Sequence, residues 1–268
     1  TAFGTDGFTL GTEGTVNTDT RTYVAWNWKA NGGTTTTNDA SSTGVGSIDS
    51  VYQANTTAGF SIVTYTGTGT AGTIAHGLGA VPKMYIVKNR DASSEWRIYN
   101  ENLGNDKTVK LHLTAASADS GNWSSTTPTS SVFNVATGNN VNDSSEKYVA
   151  YCFAEVEGYS KINVYTGNGN ADGTFVYTGF RPAFIMFKTT TIVSHWTIVD
   201  NARSTYNVVD DSLYTDTSAA ELTTITDVDF LSNGFKWRGV LANETNVSGQ
   251  VYIYMAFAEA PFKYANAR

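Results

Sequence analysis

Apolar and polar positions along the chain alternate over short stretches and seldom hold a helical period. Phe60 to Thr66 alternates as a half-buried strand does. Val81 to Lys88 and Phe184 to Lys188 are near-continuous apolar runs bounded by Pro and charge, the pattern of central strands buried on both faces. Pro82 and Pro182 have no N–H to donate, so each is expected at the first residue of a strand or at an edge. Trp96-Arg97-Ile98-Tyr99 and Trp196-Thr197-Ile198-Val199 read as further strands. Only Thr114 to Ser120 and Ser218 to Leu222 look helical, with room for one or two turns each.

The strands come in duplicate. Ile62-Val63-Thr64-Tyr65-Thr66-Gly67-Thr68-Gly69 returns as Ile162-Asn163-Val164-Tyr165-Thr166-Gly167-Asn168-Gly169. Without a gap the match runs on through Gly79 with Gly179, Pro82 with Pro182, Lys88 with Lys188, Trp96 with Trp196 and Ile98 with Ile198. Turn formers and large aromatics are the residues that fix bends and fill cores, so their repetition marks a duplicated fold unit. A closing half, Val132 to Phe153 and again Gly234 to Phe257, has a third relative in Gly7 to Leu10 with Tyr23 to Trp28. The chain therefore divides into 1–33, the closing half of a preceding repeat; 34–57, a linker or surface-hugging arm; 58–158, repeat 1; and 159–268, repeat 2. The expected fold is all-β, with tandem antiparallel β-sandwich domains, jelly-roll-like, related by internal duplication. Two strands alone cannot cover Phe8, Leu10, Val24, Trp26 and Trp28. A segment upstream of Thr1, where the sequence reads as mid-domain, or a second chain is expected to do so.

Composition agrees with many short strands joined by tight turns, since only 15% of residues are charged. A net charge of -7 and a pI near 4.9 argue against nucleic acid as a partner, because phosphate binding needs clustered Lys and Arg. No apolar run approaches the roughly 18 residues of a membrane span, so no membrane insertion is expected. Cys152 is the single cysteine, which excludes an intrachain disulfide.

Candidate chemistry is sparse. Gly67 to Gly72 fits G-x-G-x-x-G, but a second turn at Gly77-Leu78-Gly79 follows where a phosphate site needs a helix, and Asp172 replaces the third glycine in repeat 2. A hairpin turn is the expectation. His76, His112 and His195 share no ligand spacing, and His195 matches Glu95 as an exposed position. Glu155 and Glu259 recur one per repeat, which fits pairing with a Lys or capping of backbone N–H groups better than a glycosidase pair. Asp210-Asp211 and Asp227-Val228-Asp229 offer oxygen ligands without a calcium-loop frame. Sequon matches, Asn142-Asp143-Ser144 and Asn246-Val247-Ser248 among them, are expected by chance in so Asn- and Ser-rich a chain. No catalytic, cofactor-binding or metal-binding residue is assigned, and no cofactor is expected. Loop aromatics are the remaining lead. Tyr99, Trp123, Tyr159, Tyr206 and Tyr214 are candidates for subunit contacts, where Tyr and Trp are enriched, or for stacking on sugar rings.

These motifs resemble a family of marine bacteriophage virion proteins. The likeness is carried by Tyr23 to Ala30, Ala58 to Gly67, His76 to Lys83, Tyr148 to Gly158, Phe175 to Pro182 and Met255 to Arg268. The resemblance implies a non-enzymatic structural protein of the particle surface, a tail-fibre or other appendage component involved in host attachment. Capsid decoration or a head fibre is the alternative, and a carbohydrate-binding module a further one. The expected partners are copies of the same chain (a trimer above all), other virion proteins and a host surface glycan.

Overall fold

A computed structural model describes residues 2–4, 7–223, 227–241 and 243–260. Residues 261–268, which hold the end of the last resemblance motif, and Thr1 lie outside them. At the N-terminus β1 (Ala2–Phe3) and β2 (Phe8–Thr9) form a ribbon, followed by α1 (Gly14–Asn17). β3 (Thr36–Asn38), α2 (Ala40–Thr43) and β4 (Ser50–Asn55) come next. Repeat 1 supplies β5 (Phe60–Thr66), β6 (Gly72–Ala75), β7 (Met84–Asn89), β8 (Arg97–Asn100), β9 (Lys107–Lys110), β10 (Ala118–Asp119), β11 (Val132–Val135) and β12 (Lys147–Phe153). Repeat 2 supplies β13 (Ser160–Thr166), β14 (Phe175–Tyr177), β15 (Pro182–Thr189), β16 (Thr197–Asp200), β17 (Ser212–Tyr214), β18 (Val228–Leu231), β19 (Gly234–Trp237) and β20 (Val251–Ala258).

The strands pair antiparallel throughout, and the strand order shows the duplication. One large sheet runs β10-β9-β8-β7-β12-β5-β4-β3, and the other, read in the same direction, β17-β16-β15-β20-β13. Each has a narrow companion, β11-β6 in repeat 1 and β14-β19-β18 in repeat 2.

The expectation of tandem jelly-roll-like sandwiches is corrected here. The large sheets stay open, and no pair of sheets closes into a separate sandwich for each repeat. On one face of the first large sheet, Val63, Tyr65, Tyr85, Tyr148 and Cys152 meet Ile74, Phe133, Val135 and Trp123. The matching face in repeat 2 brings Tyr165, Phe187, Tyr252 and Tyr254 onto Val176, Phe230, Phe235 and Trp237. The opposite faces pack against each other across the repeats. Phe60, Met84, Ile86, Ile98, Val109 and Phe153 meet Ile162, Phe184, Met186, Trp196, Ile198, Met255 and Phe257 in a shared core. Strand alternation makes this arrangement possible, because β20 sends Tyr252, Tyr254 and Ala256 one way and Ile253, Met255 and Phe257 the other. Apolar runs on β7 and β15 announce burial on both faces, but they do not say which repeat covers the second face.

Tyr23 to Trp28, expected as a paired strand, pairs with no strand among the described residues. The stretch is extended, and its alternation survives: Val24, Trp26, Trp28 and Ala30 are half-buried between exposed neighbours. Trp28 sits edge-on to Phe153 of repeat 1 and to Phe184 and Phe257 of repeat 2, with centroids 6.2, 5.5 and 5.4 Å away. Trp26 meets Phe184 at 5.8 Å and donates its indole N–H to Asp200 Oδ2 at 3.2 Å, while the Arg203 guanidinium lies 5.7 Å over its ring. The two tryptophans are thus covered by the chain's own shared core.

Other expectations also change. Residues 34–57 are not a bare linker, since β3 and β4 extend the large sheet beyond β5. Neither Thr114 to Ser120 nor Ser218 to Leu222 is helical: the first ends in β10 and the second makes only a bridge from Leu222 to Ser212. Pro182 does open β15, and Pro82 is buried just before β7. Among the described residues no helix is long and apolar enough to cross a membrane.

A fully buried large apolar side chain contributes roughly 1.5–3 kcal/mol, so separating the two large sheets would uncover more than a typical net stability of about 5–15 kcal/mol. The repeats are therefore expected to unfold together, in one calorimetric transition. Trp196 is buried in the shared core, whereas its counterpart Trp96 is only half-buried. Trp196→Ala is expected to cost about 3–5 kcal/mol and Trp96→Ala clearly less, both read from urea denaturation.

Candidate functional site

A cluster of titratable side chains lies at the seam between the repeats. β15 turns the Lys188 side chain toward repeat 1, and the ammonium donates to the carbonyls of Ser194 and of Thr114, the latter at 2.9 Å. Lys188 is fully buried, and that burial lowers its pKa from 10.5 to about 8, against the opposing pull of Asp216. Beside it the Asp216 carboxylate, wholly buried, accepts from His195 Nδ1 at 3.0 Å through Oδ1, while Oδ2 has no hydrogen-bond partner among the described residues. The His195 ring stacks on Tyr214 at 4.1 Å, and the Tyr214 hydroxyl donates to Glu244 Oε2 at 2.5 Å. Burial first, then the neighbouring Glu244 carboxylate, pushes the Tyr214 phenol well above its ordinary value.

What this cluster does is grip an irregular segment. Trp196 Nε1 donates to Lys110 O at 2.9 Å, Thr215 Oγ1 to Leu111 O at 2.6 Å and Ser194 N to Thr114 O at 2.9 Å. In return the Ser117 N–H donates to Thr190 O at 2.9 Å. Segment 110–117 is thereby bonded to repeat 2, which satisfies backbone carbonyls that burial would otherwise leave unpaired. The repeated lysines share one task. Lys88 closes its own 89–94 loop through Asn89 O at 2.7 Å and Ser94 Oγ at 3.3 Å, as Lys188 does through Ser194. Only Lys188 reaches on into the other repeat.

Other candidates resolve into structural roles. His76 is buried, accepts the Leu78 N–H at Nδ1 (3.1 Å) and donates from Nε2 to Thr129 O (3.1 Å), which fixes a neutral imidazole whose pKa burial lowers. His195, expected to be exposed, is instead the half-buried partner of Asp216. Glu155 both pairs with Lys161 at 3.0 Å and accepts the Ile162 N–H at 2.8 Å, and Glu259 pairs with Arg181 at 3.0 Å. Asp229 is bound to Arg238 at 2.5 Å and Asp211 accepts from Ser204 at 2.9 Å. Among the described residues no group of three or more His, Cys, Asp or Glu is placed to hold a metal ion.

The glycine stretches are not hairpins. β5 and β6 belong to different sheets, as do β13 and β14, so each stretch is a corner between sheets. Gly69 and Gly169 sit at φ 72° and 67°, conformations that glycine adopts without strain. A side chain on Gly67 would meet Asp143 O at 2.0 Å, and one on Gly167 would meet Val247 O at 2.3 Å. A fully buried asparagine pins each corner. Asn142 accepts from Thr68 N and donates to Thr70 O and Ala136 O, while Asn246 accepts from Asn168 N and donates to Asn168 Oδ1 and Asn170 O. These two sequon matches recur because the corner needs the amide. No spacing rule singles them out along the chain, although their repetition is visible there.

The five aromatic candidates do not form one surface. Tyr99 lies on β8, buried and stacked on Tyr85 at 4.5 Å, and Trp123 is buried with its N–H on Lys107 O, so neither ring faces solvent. Tyr159 is half-buried against Phe257 at 5.6 Å, Tyr214 belongs to the seam, and Tyr206 is 84% exposed. Exposed aromatics that were not singled out include Phe175 and Tyr177 on β14. Their signal was a contrast between repeats, because the matching positions on β6 are Thr73 and Ala75. Two open grooves lie elsewhere, where residues 37–51 meet repeat 1. One of about 270 Å³ is lined by Thr37, Asp49, Thr64, Thr66, Arg90 and Lys147, and a second adjoins it through Asp49 and Thr66.

Fold and seam define a class of all-β protein in which two open-sheet repeats are fused through a shared core. Over residues 1–261 the chain matches the family described as a domain of unknown function (DUF7483), and it belongs to that family. No curated protein and no solved structure matches it.

Two measurements probe the corner and the seam. Asn246→Ala, which strands several buried partners, is expected to cost about 1–3 kcal/mol, and Asn142→Ala a similar amount, in urea denaturation. Because the Lys188 pKa falls from 10.5 unfolded to about 8 folded, the unfolded chain binds more protons between those values. Stability should therefore rise with pH above 8, until tyrosines begin to ionise near 10.0. Lys188→Met should flatten that rise.

Proposed function

We propose that the protein is a non-enzymatic structural component of a bacteriophage particle, an appendage or tail-fibre subunit on the virion surface that takes part in host attachment. The observation that carries this reading is the use of the buried polar groups. Lys188, Trp196 and Thr215 are engaged in holding the repeats together, and the N-terminal tryptophans plug the same seam. Such a body suits load-bearing assembly, and the sequence resemblance to virion proteins points the same way. Self-association, with a trimer favoured, and contacts to other virion proteins belong to the proposal. Capsid decoration is the alternative placement on the particle. Carbohydrate binding is a second reading, supported by the exposed ring of Tyr206.

Immunogold electron microscopy of purified particles, with antibody raised against this chain, tests the placement. Label on tail appendages is the expected result. Label over the head would move the protein to the capsid, and particles that carry neither label nor its peptides in mass spectrometry would refute the proposal. A glycan array probed with Tyr206→Ala beside the natural chain tests the second reading.

A further inference from the structure

The two repeats differ in how their sheet edges are covered. In repeat 1 the segment before β5 acts as a strap. β4 pairs along the edge of β5 from Ser50 opposite Tyr65 to Asn55 opposite Phe60. Just before it, the Ser47 and Ile48 N–H groups both donate to Thr73 O, at 2.9 and 3.1 Å, and Ile48 bridges Ile74 of β6. One strap thus covers the edge of β5 and the edge of β6. In repeat 2 the link from Phe153 to Ser160 is too short to supply a counterpart.

The two bare edges of repeat 2 are treated differently. On β13 the Ile162 N–H is taken by Glu155 Oε1 at 2.8 Å and the Val164 N–H by Asn163 Oδ1 at 2.9 Å, so side chains blunt that edge. β14 has β19 as its neighbour on one side and no strand on the other among the described residues. Phe175 and Tyr177 are 44% and 65% exposed there, where strapped Ala75 of repeat 1 is 2% exposed. Gly234 on β19 leaves room for the Phe175 ring, which a Cβ at that position would approach to 3.0 Å. The result is an unpaired strand edge bearing two bare aromatics, the kind of feature that recruits another strand.

The same chain holds a matching deficit. β1 pairs with β2 and with nothing else described, and every described residue from 2 to 17 is exposed. Phe3 is 85% exposed, and Phe8, Leu10 and Val16 are exposed beside it. An isolated two-stranded ribbon is marginal in water, so this one needs a surface that none of the described residues provides. We propose that the β1–β2 ribbon of one copy adds to the free edge of β14 in a second copy, with Phe3 and Phe8 against Phe175 and Tyr177. The contact is heterologous: each copy offers one ribbon and one edge, so copies join head to tail and either close into a ring or extend as a fibre. It shares with the proposed function only the requirement that the protein self-associates.

Light scattering after size exclusion, at rising concentrations of the full chain, reads mass in multiples of 28.8 kDa. Two double variants separate the halves of the contact. Phe3→Lys with Phe8→Lys spoils the ribbon and leaves the edge, while Phe175→Lys with Tyr177→Lys does the converse. The natural chain is expected to form multimers and each variant to remain at single-chain mass. An equimolar mixture of the two should form a dimer, because one intact ribbon then meets one intact edge. Circular dichroism checks that the variants fold. If the β14 pair does not, Tyr177→Ser replaces it and should weaken self-association by about tenfold. Multimers of unchanged mass in either variant, or a mixture that stays monomeric, overturn this interface while leaving self-association by other surfaces intact. A monomeric natural chain overturns the interface and the assembly reading together.

Discussion

The structure depends on one aromatic contact, the packing of Trp28 among Phe153, Phe184 and Phe257. Phe153 ends the last strand of repeat 1, and Phe257 occupies the equivalent place in repeat 2, 6.3 Å away. Two strand ends related by duplication therefore meet, and an indole from outside both repeats packs where they do. Edge-to-face geometry suits rings with negative faces and positive rims, and adds about 0.5–1.5 kcal/mol per pair beyond the area buried. The contact also fixes a direction: with these faces turned toward each other, the tyrosine-rich faces must find cover on the narrow sheets. β6–β11 and β14–β19–β18 provide it.

Duplication then explains which polar groups are conserved in place between the repeats and which have diverged. Tyr65 stacks on Tyr148 at 5.1 Å and Tyr165 on Tyr252 at 4.7 Å, the same pair on the same strands. The hydroxyls of Tyr148 and Tyr252 accept the Asp143 and Val247 N–H groups, so each pair holds the loop that carries its corner asparagine. Position 95 shows the opposite behaviour. Glu95 makes ion pairs with Arg97 and, at 2.6 Å, with Lys110, whereas His195 turns to Asp216. A local ion pair in repeat 1 has become part of the seam in repeat 2, because β9 and the segment after it lie over that side of β15 and β16.

Much of this was legible in the sequence, and the gaps have physical causes. Alternation in Phe60 to Thr66 and the apolar runs of β7 and β15 located strands because a period of two depends only on the strand itself. The repeated Tyr, Gly, Pro and Trp positions located equivalent strands for the same reason. Which sheet faced which was not legible, since Met84 and Met255 look alike whether they meet inside one repeat or across two. Tyr23 to Trp28 looked like a strand because its alternation is real, yet alternation reports burial on one side and says nothing about a hydrogen-bonding neighbour. Residues 34–57 looked unstructured because a short strand near the sheet edge with largely half-exposed side chains, such as Ser50 to Asn55, needs few apolar residues. The seam was invisible for another reason: Lys188, His195, Asp216 and Glu244 come together only through the packing of distant loops.

Edge coverage is where the two repeats part company. A duplicated sheet inherits its edges along with its core, and every edge must be covered, blunted or used. In repeat 1 the segment 46–55 covers the edges of β5 and β6 with its own main-chain groups. Repeat 2 has no chain to spare for this and turns side chains to the task. The Glu155 carboxylate, held by Lys161 at 3.0 Å, occupies an N–H that in β5 belongs to the strap. Blunting takes a polar side chain within reach of the strand, and β13 has two. β14 instead carries Phe175 and Tyr177, whose rings can shield an edge but offer it no carboxylate or amide acceptor. The backbone pairing of β14 with β19 repeats that of β6 with β11, so what sets β14 apart is the missing strap and the rings it carries. A sheet edge lined with rings and left without acceptors is stable only when something else completes its hydrogen bonds.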